Sequence, residues 1–533
     1  MDSIGAVGQR MLLAFEGKDS PSPEIARAME AYRPAGITYF RSRNIDHPAQ
    51  VRALTDSLQS LARDRSMPPL LIATDQEGGQ LMAIGDGTPL PGNMALGATG
   101  SDALARRAGE VLGRELAAVG VNVNYAPCVD VNVNPHNPVV GIRSFGDDPR
   151  DVARLGAAMI AGIQSQGVAA TAKHFPGHGD TATDSHRGLP VVPHSLERLR
   201  SLELIPFRAA VDAGVQLVMA AHVSLPAIDG PEAPPATLSR NVLQGLLREE
   251  AGFQGVIVTD ALDMHAIQQG EALGGEAVRA AAAGADLLLV TADPQDHRRV
   301  HSTLAEAARA GTLEPSGMAA SLQRVRALKG WLAQNFRQPD LSVIRSAEHL
   351  AVAAEIAERS ITLVRDDTGL LPLRPGSGDR MAALVPQPLD LTPADTSSYI
   401  RPGLASALRE YHPDVLELAL PYAPSDEDIR SLLHGTQDCD LIVVGTINAF
   451  EQPGQAALVG ELLRTGKPVI VAALRLPYDL AAFPEAPAYL CTYGVLEPSM
   501  HALARVLFGQ SAPQGRLPAA IPGLYRTGHS SKR

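Results

Sequence analysis

The feature that most constrains this chain is an alternation. From about residue 35 to 292, short apolar runs rich in β-branched residues take turns with longer segments of helical period, the pattern of βα units that close a parallel sheet. The runs are GITYF (36–40), LLIAT (70–74), VNVNYAP (121–127), VAATA (168–172), a short one near LPVV (189–192), LVMAAHV (217–223), GVIVTD (255–260) and ADLLLV (285–290). Eight such strands suit a TIM-type (β/α)8 barrel, in which reactive groups stand at the C-terminal ends of the strands. With the helical stretch 297–333 behind it, the barrel takes residues 1–335. A polar linker follows at 336–345, around FRQPDLS. Residues 346–525 then repeat the alternation through MAALVPQ, VLELALP, DLIVVGT, PVIVAAL and AYLCTYG, which reads as a smaller open α/β sandwich, with a tail at 526–533.

What stands at the strand ends decides the function class. Asp75 and Glu77 follow the second run, Asp130 the third, Lys173 and His174 the fourth, His222 the sixth and Asp260 the seventh. Any one of these reads equally well as a structural ion pair. Together they describe a polar pocket about the size of a sugar ring. A carboxylate such as Asp75 that accepts two hydroxyl protons selects for them, because an analogue lacking them leaves its charge unpaired. Glu77 reads as a brace for the turn, and Asp263 as a cap for the next helix. Arg143, in GIRSFGDDP, lies in the loop after the third run, where a pair with Asp147 or Asp148 would brace the loop. An ion pair between Asp260 and Lys173 would help keep Asp260 ionised.

The fourth run leads into KHFPGHGDTATDSHRGLP (173–190), a polar loop whose Pro176, Gly177 and Gly179 break regular structure. His174, His178, His186, Asp180 and Asp184 include metal-type ligands. Pro176 and Gly177 prevent a helix from holding His174 and His178 on one face, so no metal is expected. His178 reads as a residue that hydrogen-bonds within the loop. His186, two residues beyond Asp184, reads as a general acid/base with the carboxylate as its orienting partner.

Composition removes other classes. The formal net charge is −12 and no basic block occurs, which disfavours nucleic acid or an anionic membrane as partner. No apolar run approaches the ~20 residues of a spanning helix, and the first residues lack a leader pattern. Cys128, Cys439 and Cys491 are far apart and odd in number, as expected of buried thiols in a reducing compartment, so a cytoplasmic location is the expectation. No GxxxxGK phosphate loop is present, and no cofactor is expected.

KHFPGHGDT followed by DSH resembles the signature of family 3 glycoside hydrolases, in their β-N-acetylglucosaminidase branch. The resemblance runs over about residues 5 to 525. It implies a retaining, exo-acting enzyme that releases terminal GlcNAc, from peptidoglycan fragments among other glycosides. Asp260 would be the nucleophile, with His186 and Asp184 as acid/base dyad. Asp75, Arg143, Lys173, His174, His222 and Met264 would bind substrate. Ala83 stands where many members carry a further Arg, and Glu451 is the C-terminal-domain residue to compare with the acid/base carboxylate of related β-glucosidases. Phosphorolysis of the same bond is the alternative chemistry, and a catalytically idle carbohydrate-binding or sensor protein is the alternative from another class.

Overall fold

The structure, a computed structural model, describes residues 3–531. Its first sheet holds β1 (Met11–Leu13), β2 (Gly36–Tyr39), β3 (Leu71–Thr74), β6 (Val123–Asn124), β7 (Ala169–Phe175), β8 (Leu217–Ala220), β9 (Val256–Thr259) and β10 (Leu288–Val290). All neighbours in the order β10-β1-β2-β3-β6-β7-β8-β9 are parallel, and a bridge between Val258 and Leu287 joins the two ends. A small hairpin, β4 (Gln76–Gly78) with β5 (Leu81–Met82), stands on the mouth just after β3. Its turn passes through Gly79 at φ +62°, where a Cβ would also meet the Pro91 carbonyl at 3.0 Å.

Side chains alternate between two cores, as the period of a strand requires. Leu71, Ala73, Leu217, Met219, Val256 and Val258 fill the barrel, with Val325, Leu328 and Leu332 of the helix Pro315–Asn335 packed into the same cluster. Ile72, Val218 and Ile257 face outward to the surrounding helices.

One strand assignment is corrected. The run near LPVV is not in the barrel: it makes a single bridge from Val191 to Ser224 and leaves Leu189 and Val191 exposed. The missing strand is β1, whose three buried residues sit between β10 and β2. It lies ahead of residue 35, where the alternation was taken to begin, whereas LPVV has strand-like composition but belongs to the loop beyond His186.

The second sheet has the order β11 (Thr362–Asp366), β16 (Ala488–Cys491), β15 (Val469–Ala473), β14 (Leu441–Thr446), β12 (Met381–Pro386), β13 (Val415–Leu420). β11 is antiparallel to β16 and the other pairs are parallel. Along β14, Ile442 and Val444 join one cluster while Leu441 and Val443 join another, so helices cover both faces. Polar bridges seat this sandwich on the barrel. Glu115 accepts from Thr88, the Arg345 amide and His349 Nδ1, and Asn132 donates to the Tyr478 hydroxyl. No described helix is long and apolar enough to cross a membrane. All three cysteines are buried and unpaired.

Candidate active site at the barrel mouth

A cavity of about 420 Å³ opens at the C-terminal ends of the strands. The strand-end residues Asp75, Lys173, His174 and Asp260 all line it. Asp75, Lys173 and Asp260 continue the inward phase of Leu71 and Ala73, of Ala169, and of Val256 and Val258. His222 has the opposite parity to Leu217 and Met219. It is fully buried, with one ring nitrogen on the Ala261 carbonyl at 3.0 Å and the other on the Thr237 hydroxyl, and it lies behind the cavity wall. His222, expected to touch substrate, is thus placed outside the residues that line the cavity.

The floor is a charge cluster. Lys173 Nζ donates to Asp75 Oδ1 at 2.5 Å and lies 2.7 Å from Glu77 Oε1, not on Asp260 as the sequence suggested. Arg143 grips Glu77 with two parallel bonds, Nε to Oε2 at 3.0 Å and Nη2 to Oε1 at 2.7 Å. The brace for Arg143 is thus Glu77; Asp147 instead accepts from Thr527 and the Ala520 amide. Burial pushes the Glu77 carboxyl up, but Arg143 and Lys173 outweigh it and hold the group at about 2. Burial works against the Lys173 ammonium in the same way, and Asp75 and Glu77 raise it above its ordinary value.

His174 is fixed from both sides. Its Nδ1 donates to Asp130 Oδ2 at 2.7 Å, and Arg143 Nη2 approaches its Nε2 at 3.4 Å as donor. Asp130 also takes the backbone N–H groups of His174 and His178. Burial opposes its charge, yet these partners hold it at about 2. A group of Cys128, Asp130 and His174 has metal-type ligands within reach of one another, but every one of these bonds is already made inside the protein. His178 braces the loop through Thr181 and Ser185, and burial lowers its pKa to about 4.

The His186 loop is anchored over the mouth. Asn137 Nδ2 donates to the His178 carbonyl at 2.8 Å, and the backbone at Gly179 packs so close to Val131 that a Cβ would sit 1.9 Å from its carbonyl oxygen. The Ala266 amide bonds the Ser185 carbonyl at 3.3 Å, joining this loop to the one that carries Asp260. His186 Nδ1 donates to Asp184 Oδ1 at 2.7 Å, so Nε2 is the nitrogen left for chemistry. Asp184 is buried, which raises its pKa, but the ring and backbone N–H of His186 leave it below the ordinary value.

Asp260 opens on the same cavity as His186. Its Oδ1 accepts from the Ala261 amide at 2.8 Å. Burial disfavours its charge, but His174, His222 and His186 together with that amide keep its pKa below normal. Met264 lines the wall beyond it. Asp263 caps no helix, since the next helical turn starts at Gly270; it lines the cavity, and burial raises its pKa. Glu451 stays outside, 3.2 Å from His136 Nδ1.

The sequence reading missed the far wall. Arg41, just past β2, and residues Asp390 to Tyr399 of the sandwich complete the cavity. Arg41 carries the same strand-end signal as the others; the sandwich segment carries none.

The family model "Glycosyl hydrolase family 3 N terminal domain" matches residues 6–328, and "Glycosyl hydrolase family 3 C-terminal domain" matches residues 361–528. The β-hexosaminidase A of Pseudoalteromonas piscicida is 32% identical over 94% of this chain and 91% of its own. The structure of a family 3 β-N-acetylglucosaminidase from Paenibacillus sp. str. FPU-7 superposes with a TM-score of 0.92 at 39% identity, covering 98% of this chain and 99% of that one. A β-glucoside phosphorylase superposes with a TM-score of 0.81 at 25% identity, over 97% and 94% of the two chains.

Proposed function

This chain belongs to glycoside hydrolase family 3 and is a glycosidase, and from that premise we propose that it is a retaining exo-β-N-acetylglucosaminidase. The observation that carries the reading is one cavity holding a carboxylate, Asp260, with its charge favoured, and an imidazole, His186, whose Nδ1 is already committed to Asp184. In the first step Asp260 attacks the anomeric carbon while His186 Nε2–H gives its proton to the departing glycosidic oxygen. Asp184 stabilises the imidazolium that this step needs. In the second step neutral His186 takes a proton from water, the water oxygen attacks the anomeric carbon, and Asp260 leaves. Two inversions give net retention.

Asp75, Lys173, His174 and Arg143 form the hydroxyl-binding floor in this reading, with Met264 as an apolar contact. Glu77 and Asp130 position them, and His222 acts through Asp260 and not on the sugar. The 2-acetamido preference rests on likeness to the Paenibacillus and Pseudoalteromonas enzymes. Terminal GlcNAc of peptidoglycan fragments is the proposed natural substrate on the resemblance alone. A reducing, cytoplasmic setting is supported by the three unpaired cysteines.

The test is product analysis on an aryl β-GlcNAc glycoside with and without phosphate. Hydrolysis predicts β-GlcNAc as first product in both; GlcNAc-1-phosphate would establish phosphorolysis, and tight sugar binding without turnover would leave a carbohydrate-binding protein. Asp260→Asn should abolish glycosyl-enzyme formation. His186→Ala should lose activity on poor leaving groups far more than on activated ones, and equal activity on both would remove it as the acid. If Glu451→Gln were as damaging as Asp260→Asn, the acid/base role would move to the sandwich domain.

A further inference from the structure

The end of the barrel opposite the sugar cavity carries a second pocket. The helix Pro315–Asn335 closes that end, packing Val325, Leu328 and Leu332 into the barrel core. Beside it, a pocket of about 130 Å³ is lined by Leu322, Arg326 and Lys329 of the helix, by Gln9 just ahead of β1, and by Pro68 and Pro69 ahead of β3. These are the N-terminal ends of the strands, where polar groups of such barrels mostly serve stability. Two cations and one amide are the polar groups of this lining, and no carboxylate stands in it among the described residues.

Lys329 differs from the other described lysines in how its ammonium is held. Lys173 sits on Asp75 and Glu77, Lys18 on Asp46, and Lys467 Nζ donates to the carbonyls of Thr436, Gln437 and Cys439. Lys329 Nζ has one partner among the described residues, the neutral Gln9 Oε1 at 3.2 Å. Gln9 is itself fixed, because its Nε2 donates to the Arg33 and Pro34 carbonyls at 2.7 and 3.1 Å. A charge with a single neutral acceptor beside prolines and a leucine is costly, so the free amine is favoured, and burial lowers the Lys329 pKa to about 7. The free amine donates one N–H to Gln9 and keeps its lone pair for the pocket, the setting of a nucleophilic lysine. The side chain is only partly buried, which leaves a reagent a way in.

An acyl group suits this pocket. The product is a neutral amide, which removes the buried charge while its N–H still donates to Gln9 Oε1. Arg326 stands three residues earlier on the same helix face and lines the same pocket. No ion pair or hydrogen bond holds its guanidinium among the described residues, so it is free to receive an anionic leaving group.

We infer that Lys329 is an acylation site at the closed end of the barrel, reactive toward small acyl phosphates. The Nζ lone pair attacks the acyl carbonyl carbon and a C–N bond forms. The C–O bond to phosphate breaks with its electron pair on the phosphate, and the amine proton passes to water. No oxidant or reductant takes part, and the site stands apart from the glycosidase chemistry. The test treats the full chain with acetyl phosphate at pH 7 and follows acetylation of each lysine against time by mass spectrometry. Lys329 should react about tenfold or more faster than Lys18 and Lys467, and faster in the folded chain than in urea, where its amine regains ordinary basicity. Its rate should level off above about pH 7 while theirs keeps rising. Lys329 labelled no faster than Lys18 and Lys467, or only after unfolding, would overturn the site. Arg326→Ala should slow acetylation by acetyl phosphate but not by uncharged acetic anhydride; equal slowing with both, or with neither, would overturn the choice of acyl phosphate as the reagent.

Discussion

Glu77 touches two cations and is almost wholly buried, so its charge is the keystone of the floor. Glu77→Gln leaves Lys173 and Arg143 facing each other without it, and breaking a buried pair of this kind costs about 3–5 kcal/mol. Chemical denaturation at neutral pH should read that loss. Because folding depresses the Glu77 pKa from its ordinary 4.5 to about 2, its contribution is complete above the ordinary value and is lost as pH falls toward about 2. The Gln variant should therefore show a shallower acid dependence of stability than wild type in that window; parallel curves would mean that Glu77 is not held ionised. The bracing role of Glu77 was legible from its place in the turn, but the partner of Lys173 was not. Asp75, Glu77 and Asp260 are all carboxylates at or just beyond strand ends, and sequence carries no angle around a barrel. His222 shows the complementary limit. Strand-end position marked it, yet its ring lies behind the cavity wall on the Thr237 hydroxyl and the Ala261 carbonyl, partners that nothing in the local sequence announces.

At the scale of elements, the loop after β14 is organised by Asp479, which accepts from the Thr446 hydroxyl at 2.6 Å and the Phe450 amide at 3.3 Å. Burial, only partly offset by these bonds, raises its pKa to about 7. A carboxyl raised on folding favours the folded state most when protonated. Its contribution is full below the ordinary value of 3.8 and is lost as pH rises through about 7. Asp479→Asn, which keeps an acceptor for Phe450, should flatten the fall in thermal stability across that interval; an unchanged slope would place the titration elsewhere. Most strands were legible because both barrel and sandwich bury alternating apolar runs. The exception was β1, which lies in the apolar run 11–15 ahead of residue 35, where the alternation was taken to begin, and LPVV filled the vacancy by composition alone. The Asp184–His186 spacing was legible because a two-residue separation on a loop lets a carboxylate reach the ring Nδ1 of its own neighbour, and that bond is present.

In the whole molecule, two sheets from distant parts of the chain share one cavity, and this was the least legible feature. Gln80 and Thr396 meet across a sequence separation of 316 residues, with no local pattern at either end to announce it. The proposed chemistry, however, lives on the barrel side, where the Ser185–Ala266 bond ties the imidazole's loop to the carboxylate's. The central claim is that His186 and Asp260 serve the same anomeric centre in successive steps. It is tested most directly by mass spectrometry of His186→Ala quenched during turnover of a GlcNAc glycoside with an activated leaving group. Without its base for the second step, the variant should accumulate one N-acetylhexosaminyl group per chain, mapped to the peptide that contains Asp260. No accumulation, or a label on a different carboxylate, would contradict the account.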